Sequence, residues 1–180
     1  MNRINKIFQN RNEKVIPFLT AGYPSKQDTL QMVIAAEKAG AAMVELGIPF
    51  SDPLADGPII QESSKVAIEN GVTIDWILKT VTKIRKQTEI PIALMGYINP
   101  IIKYGLSQFM SECKESGIDG VIIPDLPLEE AGEFSGHAEK EGLDMIHLLA
   151  PTSPNERVQM VAENSRGFIY YISLTGTTGV

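Results

Sequence analysis

The chain has 180 residues, of which 43% are hydrophobic, and a formal net charge of −6. A chain of this length and hydrophobicity can bury one sizeable core, so we expect a single domain over residues 1–180. The negative charge and the scattered basic residues argue against nucleic-acid binding. The longest apolar runs, about eight residues, are too short to cross a bilayer. One cysteine, Cys113, cannot form an internal disulfide, which favours a reducing cytoplasm.

Apolar runs of strand length alternate with stretches in which apolar residues recur at helical spacing. The predicted strands are, in chain order, 15–22, 43–50, 91–98, 120–125, 144–151 and 167–173. Two helices are predicted between the second and third strands, one starting near Pro58 and one containing Ile74 and Val81. The spacing of Leu106 and Phe109 indicates a further helix after the third strand.

Polar residues mark two of the predicted helix starts. Ser25 and Asp28 have the spacing of a capping box at the first helix after strand one. Further along, Ser153 stands at a cap position, with Pro154 at the first helical position and Glu156 at the third. We therefore predict that serine side chains cap the helices after the first and fifth strands.

Three segments share a pattern of helix end, glycine, short gap and apolar strand ending at proline. They are KAGAAMVELGIP, ESGIDGVIIPD and KEGLDMIHLLAP. A glycine just past a helix suits a left-handed C-terminal cap, and short links imply parallel strands with right-handed crossovers. The sequence therefore predicts an α/β fold with a parallel sheet buried on both faces. Periodicity alone does not decide between a closed barrel and an open doubly wound sheet.

The segment ELGIPFSDPLADGPIIQ, residues 45–61, places three carboxylates between a predicted strand and a predicted helix. Glu45 lies near the carboxyl end of its strand, where parallel α/β enzymes place their chemistry. Because a buried acid is costly without partners or a function, Glu45 is either catalytic or a structurally paired glutamate. Asp52 and Asp56 follow in a loop stiffened by prolines and are either functional or ordinary turn residues. Together the acids indicate acid–base chemistry without indicating a substrate.

The same segment resembles the signature of the tryptophan synthase α subunit family. The motifs that extend the resemblance over the whole chain are PFLTAGYP, MGYINPI, PDLPLEE, LAPTSPNER and GFIYYISLTGTTG. The resemblance implies a (β/α)8 TIM barrel, of which about six βα units are present in this chain. The domain over residues 1–180 is therefore expected to be incomplete at its C-terminus.

The resemblance implies a lyase of tryptophan biosynthesis. Such an enzyme cleaves indole-3-glycerol phosphate into indole and glyceraldehyde 3-phosphate by a retro-aldol reaction. No cofactor is expected in this subunit. Pyridoxal phosphate is expected in the β subunit, with which family members form an α2β2 heterotetramer. The alternative is a non-catalytic fragment that at most binds the β subunit, because a complete barrel typically needs about 250 residues.

The resemblance also implies the site residues. Glu45 would protonate C3 of the indole and, as a carboxylate, help to deprotonate the glycerol hydroxyl. Asp56 would accept a hydrogen bond from the indole N–H and stabilise the positive charge that develops there. Thr178 would hydrogen-bond the loop aspartate, and the backbone N–H of Gly179 would bind the substrate phosphate. The apolar wall around the indole, which could instead be plain core packing, would consist of Phe18, Met95, Tyr97, Pro124, Leu149 and Tyr170.

Four residues match family positions that face the β subunit: Asp52, Pro53, Asn99 and Pro100. The resemblance implies that Asp52 contacts a basic residue of that partner. An exposed turn aspartate is the alternative, and without the partner's sequence both remain open.

The histidines and the cysteine are interpreted as structural. Cys113 lies on an apolar helical stripe and is predicted to be a small core residue. His137 is predicted to face solvent from a helix, and His147 to be a hydrogen-bonded core histidine in the middle of a strand. Because the two histidines lack acids at ligand spacing, no metal site is expected.

Overall fold

The computed structural model describes residues 2–9 and 14–173. The α-helices are Arg3–Ile7 (α1), Asp28–Lys38 (α2), Pro58–Glu69 (α3), Ile74–Ile84 (α4), Ile98–Tyr104 (α5), Leu106–Ser116 (α6), Gly132–Glu141 (α7) and Asn155–Asn164 (α8). The strands are Phe18–Thr20 (β1), Val44–Gly47 (β2), Ile92–Met95 (β3), Gly120–Ile122 (β4), Asp144–Ile146 (β5), Leu148–Leu149 (β6) and Tyr170–Tyr171 (β7). Among the described residues, no helix has the length and apolar character needed to span a membrane.

Five strands form one parallel sheet in the order β1-β2-β3-β4-β5, and β6 pairs with β7 in a separate parallel ladder. Each strand of the larger sheet pairs with the next one along the chain, the arrangement of consecutive βα units. The predicted parallel α/β fold is confirmed. The predicted fifth strand, however, is divided at His147, so that β5 pairs with β4 while β6 pairs with β7.

The register places two rows of residues on the inner face of the sheet, since register partners of a parallel sheet share a face. The first row consists of Phe18, Glu45, Ala93, Gly120 and Asp144. Two residues further along each strand, the second row consists of Thr20, Gly47, Met95, Ile122 and Ile146. Because side chains alternate along a strand, the intervening residues point outward to the helices.

Each face of the sheet has its own apolar cluster. The inner cluster contains Ile4, Met43, Ala93, Ile122 and Ile146, with Met95, Leu148, Phe168 and Tyr170 partly buried against it. The outer cluster joins the strands to α4 and α6 through residues that include Val44, Leu46, Leu94, Ile77, Val81, Phe109 and Met110. A sheet covered on both faces explains why its strands read as continuous apolar runs.

Helix α1 closes the inner cluster at the amino-terminal ends of the strands. Its Ile4 is fully buried, and a Cβ atom at Gly120 or Gly167 would come within 2.9 Å of the Ile4 side chain. The Asn2 side chain donates to the backbone oxygen of Asp119 at 2.6 Å. The carboxyl ends of the strands are therefore the side from which a ligand reaches the inner face.

The structure differs from the predicted caps at two helix starts. Helix α2 begins at Asp28, and the Ser25 hydroxyl donates to the Asp28 carboxylate at 2.6 Å instead of capping the helix. Helix α8 begins at Asn155, and the Ser153 hydroxyl accepts from the N–H of Ala150 at 3.1 Å. Both serine-cap predictions are wrong, because each hydroxyl finds a partner within its own turn.

The glycines of the repeated pattern behave as predicted. Gly40, Gly117 and Gly142 have φ angles of 94°, 95° and 69°. These left-handed values end the helices and turn the chain towards the next strand, which confirms the predicted glycine caps.

A buried ion pair that the sequence analysis did not predict joins the end of α4 to the start of β4. Arg85 Nη2 lies 2.9 Å from Asp119 Oδ2, and the two side chains are 10% and 4% exposed. The Arg85 Nε also donates to the backbone oxygen of Gly117 at 2.8 Å. Asp119 Oδ2 accepts from the N–H of Ile92 at 2.9 Å, and Arg3 Nη1 lies 3.0 Å from Asp119 Oδ1. One carboxylate thus ties together α1, α4, β3 and β4.

We expect Asp119→Ala to lower the free energy of unfolding by about 3–5 kcal/mol, because it leaves the Arg85 guanidinium buried without its partner. Urea denaturation followed by circular dichroism measures the change. The control is Asp75→Ala, which breaks the exposed Asp75–Lys79 pair on α4 and should cost less than about 1 kcal/mol. Equal losses in the two variants would contradict the anchoring role of Asp119.

Candidate active site

The carboxyl group of Glu45 is buried on the inner face, two residues before the end of β2. Glu45 is 5% exposed, and its neighbours in the row are Phe18 and Ala93. Because burial penalises the charged form, the pKa of Glu45 is raised to about 7. The group therefore populates both its acid and its carboxylate forms near neutral pH, as a proton carrier must. The pKa of Tyr170 is raised by burial and, to a lesser extent, by the charge of Glu45, so β7 brings a phenol within electrostatic reach of this carboxyl.

Asp56 lies on the loop between β2 and α3, two residues before the helix begins at Pro58. Its side chain is half-buried; burial raises the pKa of Asp56, and a hydrogen bond with the Tyr97 hydroxyl lowers it. The Gln61 side chain donates to the backbone oxygen of Asp56 at 2.8 Å, and the N–H of Ala55 donates to the Tyr97 hydroxyl at 3.0 Å. Two contacts thus hold the loop, one from Gln61 of α3 and one from Tyr97, which follows β3.

A small cavity lies between Asp56 and the carboxyl ends of the first strands. Its volume is about 20 Å³, enough for one water molecule. The cavity is lined by Phe18, Thr20, Gly47, Ile48, Asp56, Ile60, Ser64, Met95, Gly96, Tyr97 and Pro124. The structure therefore brings together one predicted catalytic acid and most of the predicted indole wall: Phe18, Met95, Tyr97 and Pro124.

Large side chains fill the space above the strand ends. A Cβ atom at Gly47 would lie 2.4 Å from Cζ of Phe18, and a Cβ atom at Gly96 would lie 2.9 Å from Cδ1 of Ile48. Both glycines make room for these larger neighbours. Since the cavity has room for only one water molecule, a ring as large as indole would need its lining side chains to shift.

The other predicted substrate residues are placed differently. The register pairs Tyr170 with Leu148, and both pack against the inner cluster. Because side chains alternate along a strand, Leu149 points away from the face that carries Tyr170, and its place in the indole wall stays a prediction. Thr178 and Gly179 lie outside the described residues.

Thr20 and Ser64 also line the cavity, although neither is predicted as a site residue from the sequence. The hydroxyls of Thr20 and Ser63 are hydrogen-bonded at 2.7 Å, which fastens α3 to β1 beside the cavity. Alternation from Phe18 could have identified Thr20, since the two residues share a face. Ser64 has no such signal, because only the packing of α3 brings it to the cavity.

The four residues that are predicted to face the β subunit lie at the same end of the sheet as Asp56. Asp52 is exposed on the β2–α3 loop, where the Ser51 hydroxyl donates to its carboxylate. Pro53 follows on the loop, while Asn99 and Pro100 lie in α5, directly after the β3 segment. Contact of these residues with a β subunit stays a prediction.

His147 is a buried core histidine, as predicted, but within the described part of the chain its ring nitrogen Nε2 lacks the expected hydrogen bond. It lies between β5 and β6. Burial lowers the pKa of His147 and so keeps the ring neutral. His137 is partly exposed on α7.

Cys113 is buried in the outer cluster, and burial raises the pKa of its thiol. The prediction of a small core residue is confirmed. Over residues 2–9 and 14–173, no group of three or more His, Cys, Asp or Glu side chains is arranged to hold a metal ion.

The fold and the site define a parallel α/β enzyme with a buried acid on a strand and a second acid beside an apolar cavity. A family model described as tryptophan synthase alpha chain matches residues 4–180. The tryptophan synthase alpha chain of Geotalea daltonii is 50% identical over 178 residues, which cover 99% of this chain and 67% of that protein. The corresponding protein of Thermoanaerobacter sp. is 49% identical over 183 residues, covering 99% and 70%.

Solved structures agree with this comparison. The crystal structure of tryptophan synthase subunit alpha from Legionella pneumophila superposes with a TM-score of 0.93 at 41% identity, over 96% of this chain and 68% of that one. The structure of the tryptophan synthase α2β2 complex from Pyrococcus furiosus matches with a TM-score of 0.86 at 44% identity, over 92% and 66%. The chain belongs to the tryptophan synthase alpha chain family. The family consists of TIM-barrel lyases that cleave indole-3-glycerol phosphate, so the predicted fold and function are confirmed.

The raised pKa of Glu45 predicts a pH-dependent cost to stability. A carboxyl whose pKa is higher in the folded state destabilises the fold as pH rises from its ordinary value of 4.5 through about 7. We therefore expect Glu45→Gln to stabilise the protein, by roughly 2 kcal/mol more at pH 8 than at pH 5. Urea denaturation at both pH values measures the difference. Glu62→Gln, on an exposed face of α3, is the control, and an equal gain from Glu45→Gln at both pH values would contradict the prediction.

Proposed function

We propose that Glu45 and Asp56 are the catalytic pair that cleaves indole-3-glycerol phosphate. The observation that carries this proposal is the buried carboxyl of Glu45, whose pKa of about 7 lets it donate and accept a proton at neutral pH. Asp56 supports it, because the loop acid lines the same cavity as most of the predicted indole wall.

Glu45 carries the proton in this mechanism. Its carboxylic acid protonates C3 of the indole, which turns the ring into a cationic indolenine. The resulting Glu45 carboxylate then takes the proton of the glycerol hydroxyl at the adjoining carbon. The electrons of the breaking carbon–carbon bond flow into the indolenine, which restores a neutral indole and releases glyceraldehyde 3-phosphate. Glu45 ends protonated, so protons and electrons balance over one turnover.

Asp56 stabilises the charge that appears during this step. The indolenine nitrogen is positive until the carbon–carbon bond breaks, and a carboxylate that accepts its N–H lowers the energy of that state. The two acids need different environments, because one must start protonated and the other ionised. Glu45 is buried on an apolar strand, whereas Asp56 is half-buried and receives a hydrogen bond from Tyr97 that lowers its pKa. The hydrogen bond from Tyr97 thus opposes the rise that burial causes in the pKa of Asp56.

The remaining site residues hold the substrate. Phe18, Met95, Tyr97 and Pro124 would form the wall around the indole ring, with Tyr170 near the Glu45 carboxyl. Thr178 would hydrogen-bond Asp56 and Gly179 would bind the phosphate. Every chemical step moves a proton between substrate and carboxyl, so the reaction needs no cofactor in this subunit.

The partner in this proposal is a tryptophan synthase β subunit that carries pyridoxal phosphate, in an α2β2 complex. The Pyrococcus furiosus relative forms such a complex. Near Asp52 and Asn99, the chain exposes the apolar side chains of Leu54 (82%) and Ile102 (56%), which suits a docking edge. The lone cysteine fits the cytoplasm as the compartment of this assembly.

We expect Glu45→Gln to lower kcat for indole release by about 10²–10⁴-fold with little change in KM, because the amide keeps the shape but transfers no proton. Release of indole from indole-3-glycerol phosphate is measured with the purified protein. Glu62→Gln serves again as the control and should match wild type. Turnover close to wild type in the Glu45 variant would overturn its assignment as the proton carrier.

Asp52→Ala should leave the cleavage reaction unchanged when the α subunit is assayed alone, and should weaken its stimulation by the β subunit. The reason is that the side chain is exposed and does not line the cavity. Titration of the α reaction with β subunit measures both effects. Glu163→Ala, on the exposed side of α8, should change neither. If Asp52→Ala cripples the isolated reaction, Asp52 belongs to the active site instead.

A further inference from the structure

Tyr97 makes more contacts than a residue needs if it only lines the indole pocket. It stands directly before α5 and is 4% exposed. Its ring packs against Phe50 with the centroids 5.4 Å apart. Asp125 Oδ1 accepts from the N–H of Ile98 at 3.0 Å, which holds the backbone immediately after Tyr97. These contacts hold the phenol ring, and so its hydroxyl, in one place.

The hydroxyl of Tyr97 holds the loop that carries Asp56. It accepts a hydrogen bond from the N–H of Ala55 at 3.0 Å. A phenol that accepts one hydrogen bond still has its own hydrogen to donate. The carboxylate of the next residue, Asp56, is the group with which that hydrogen interacts. A phenylalanine would supply the same apolar wall without either bond, so the hydroxyl has a role of its own.

The contact also affects the protonation of both groups. Burial raises the pKa of Asp56, and the hydrogen bond from Tyr97 lowers it. The pKa of Tyr97 is raised to about 12, by burial first and with a contribution from the Asp56 charge. The phenol therefore stays a protonated donor at neutral pH, and its bond favours the carboxylate form of Asp56.

We propose that Tyr97 is a positioning residue whose hydroxyl aims the Asp56 carboxylate at the nitrogen of the indole ring. This inference rests on the proposed charge-stabilising role of Asp56. Tyr97 holds the loop through the N–H of Ala55, the residue directly before Asp56, and Tyr97 and Asp56 line the same cavity. Without the hydroxyl, the carboxylate has more orientations available and meets the developing charge less often.

The test is Tyr97→Phe in the full-length polypeptide, assayed by indole release across a pH series. We expect kcat to fall about 10- to 100-fold while KM changes less than about 3-fold, because the lost bond acts on the transition state and not on the apolar wall. Removing a bond that lowers the pKa of Asp56 raises that pKa. The acidic limb of the kcat profile should therefore move to higher pH.

Two further variants separate positioning from general stability. Tyr104→Phe removes another phenol that bonds a carboxylate, Glu112, on the outer helices, and should leave kcat and the acidic limb unchanged. Replacing Tyr97 with 3-fluorotyrosine keeps its shape and makes the hydroxyl a stronger donor. That enzyme should move the acidic limb to lower pH, opposite to Tyr97→Phe.

Wild-type kcat and an unmoved acidic limb in Tyr97→Phe would overturn the proposal, and so would a change confined to KM. If Tyr97→Phe fails to fold, the 3-fluorotyrosine enzyme tests the proposal instead. A shift of the acidic limb of its kcat profile to lower pH supports the positioning role, and an unmoved acidic limb refutes that role. Asp56→Asn is assayed in parallel. Full activity there would refute the catalytic role of Asp56 itself, whatever the result at Tyr97.

Discussion

The parallel register of β1, β2 and β3 is the constraint on which the site depends. Register partners share a face, so Phe18, Glu45 and Ala93 point inward together. A slip of one residue in β2 would turn Glu45 out among the helices and bring Leu46 inside. The inner face is apolar, and burial there raises the pKa of Glu45 to about 7. The acid–base character of this carboxyl thus follows from strand alignment and burial.

Stabilising contacts gather at the amino-terminal ends of the sheet, and the cavity beside Asp56 lies at the carboxyl ends. At the amino-terminal ends, Ile4 fills the inner cluster and Asp119 binds two arginines and a strand N–H. Glu45, the second of the four residues of β2, is a buried acid that costs stability as pH rises from 4.5 through about 7. α/β barrels commonly divide stability and activity between their two ends in this way.

The β2–α3 loop links the site to the proposed docking edge. Asp52 and Asp56 are four residues apart, yet one side chain is exposed and the other is half-buried beside the cavity. The intervening segment is held by the Tyr97 hydroxyl, which accepts from Ala55, and by Gln61 of α3. A partner that binds Asp52 therefore acts on a segment that also fixes the orientation of Asp56. Because the two residues lie on one short loop, the docking role proposed for Asp52 and the catalytic role proposed for Asp56 would be mechanically coupled.

The sequence by itself determined the features that depend on near neighbours and on the family motif. These are the parallel α/β units, the helices α3, α4 and α6, and the glycine caps; the catalytic role of Glu45 and Asp56 stays a prediction. It failed at two serines, because the Ser25 and Ser153 hydroxyls bond Asp28 and Ala150 within their own turns and do not cap a helix. It also failed where distant segments meet. The fifth strand divided at His147, and the Arg85–Asp119 pair and the Tyr97–Ala55 bond carried no local signal. Only the tertiary structure decided these, because each is a contact between groups whose separation in space is set by packing and not by their spacing along the chain.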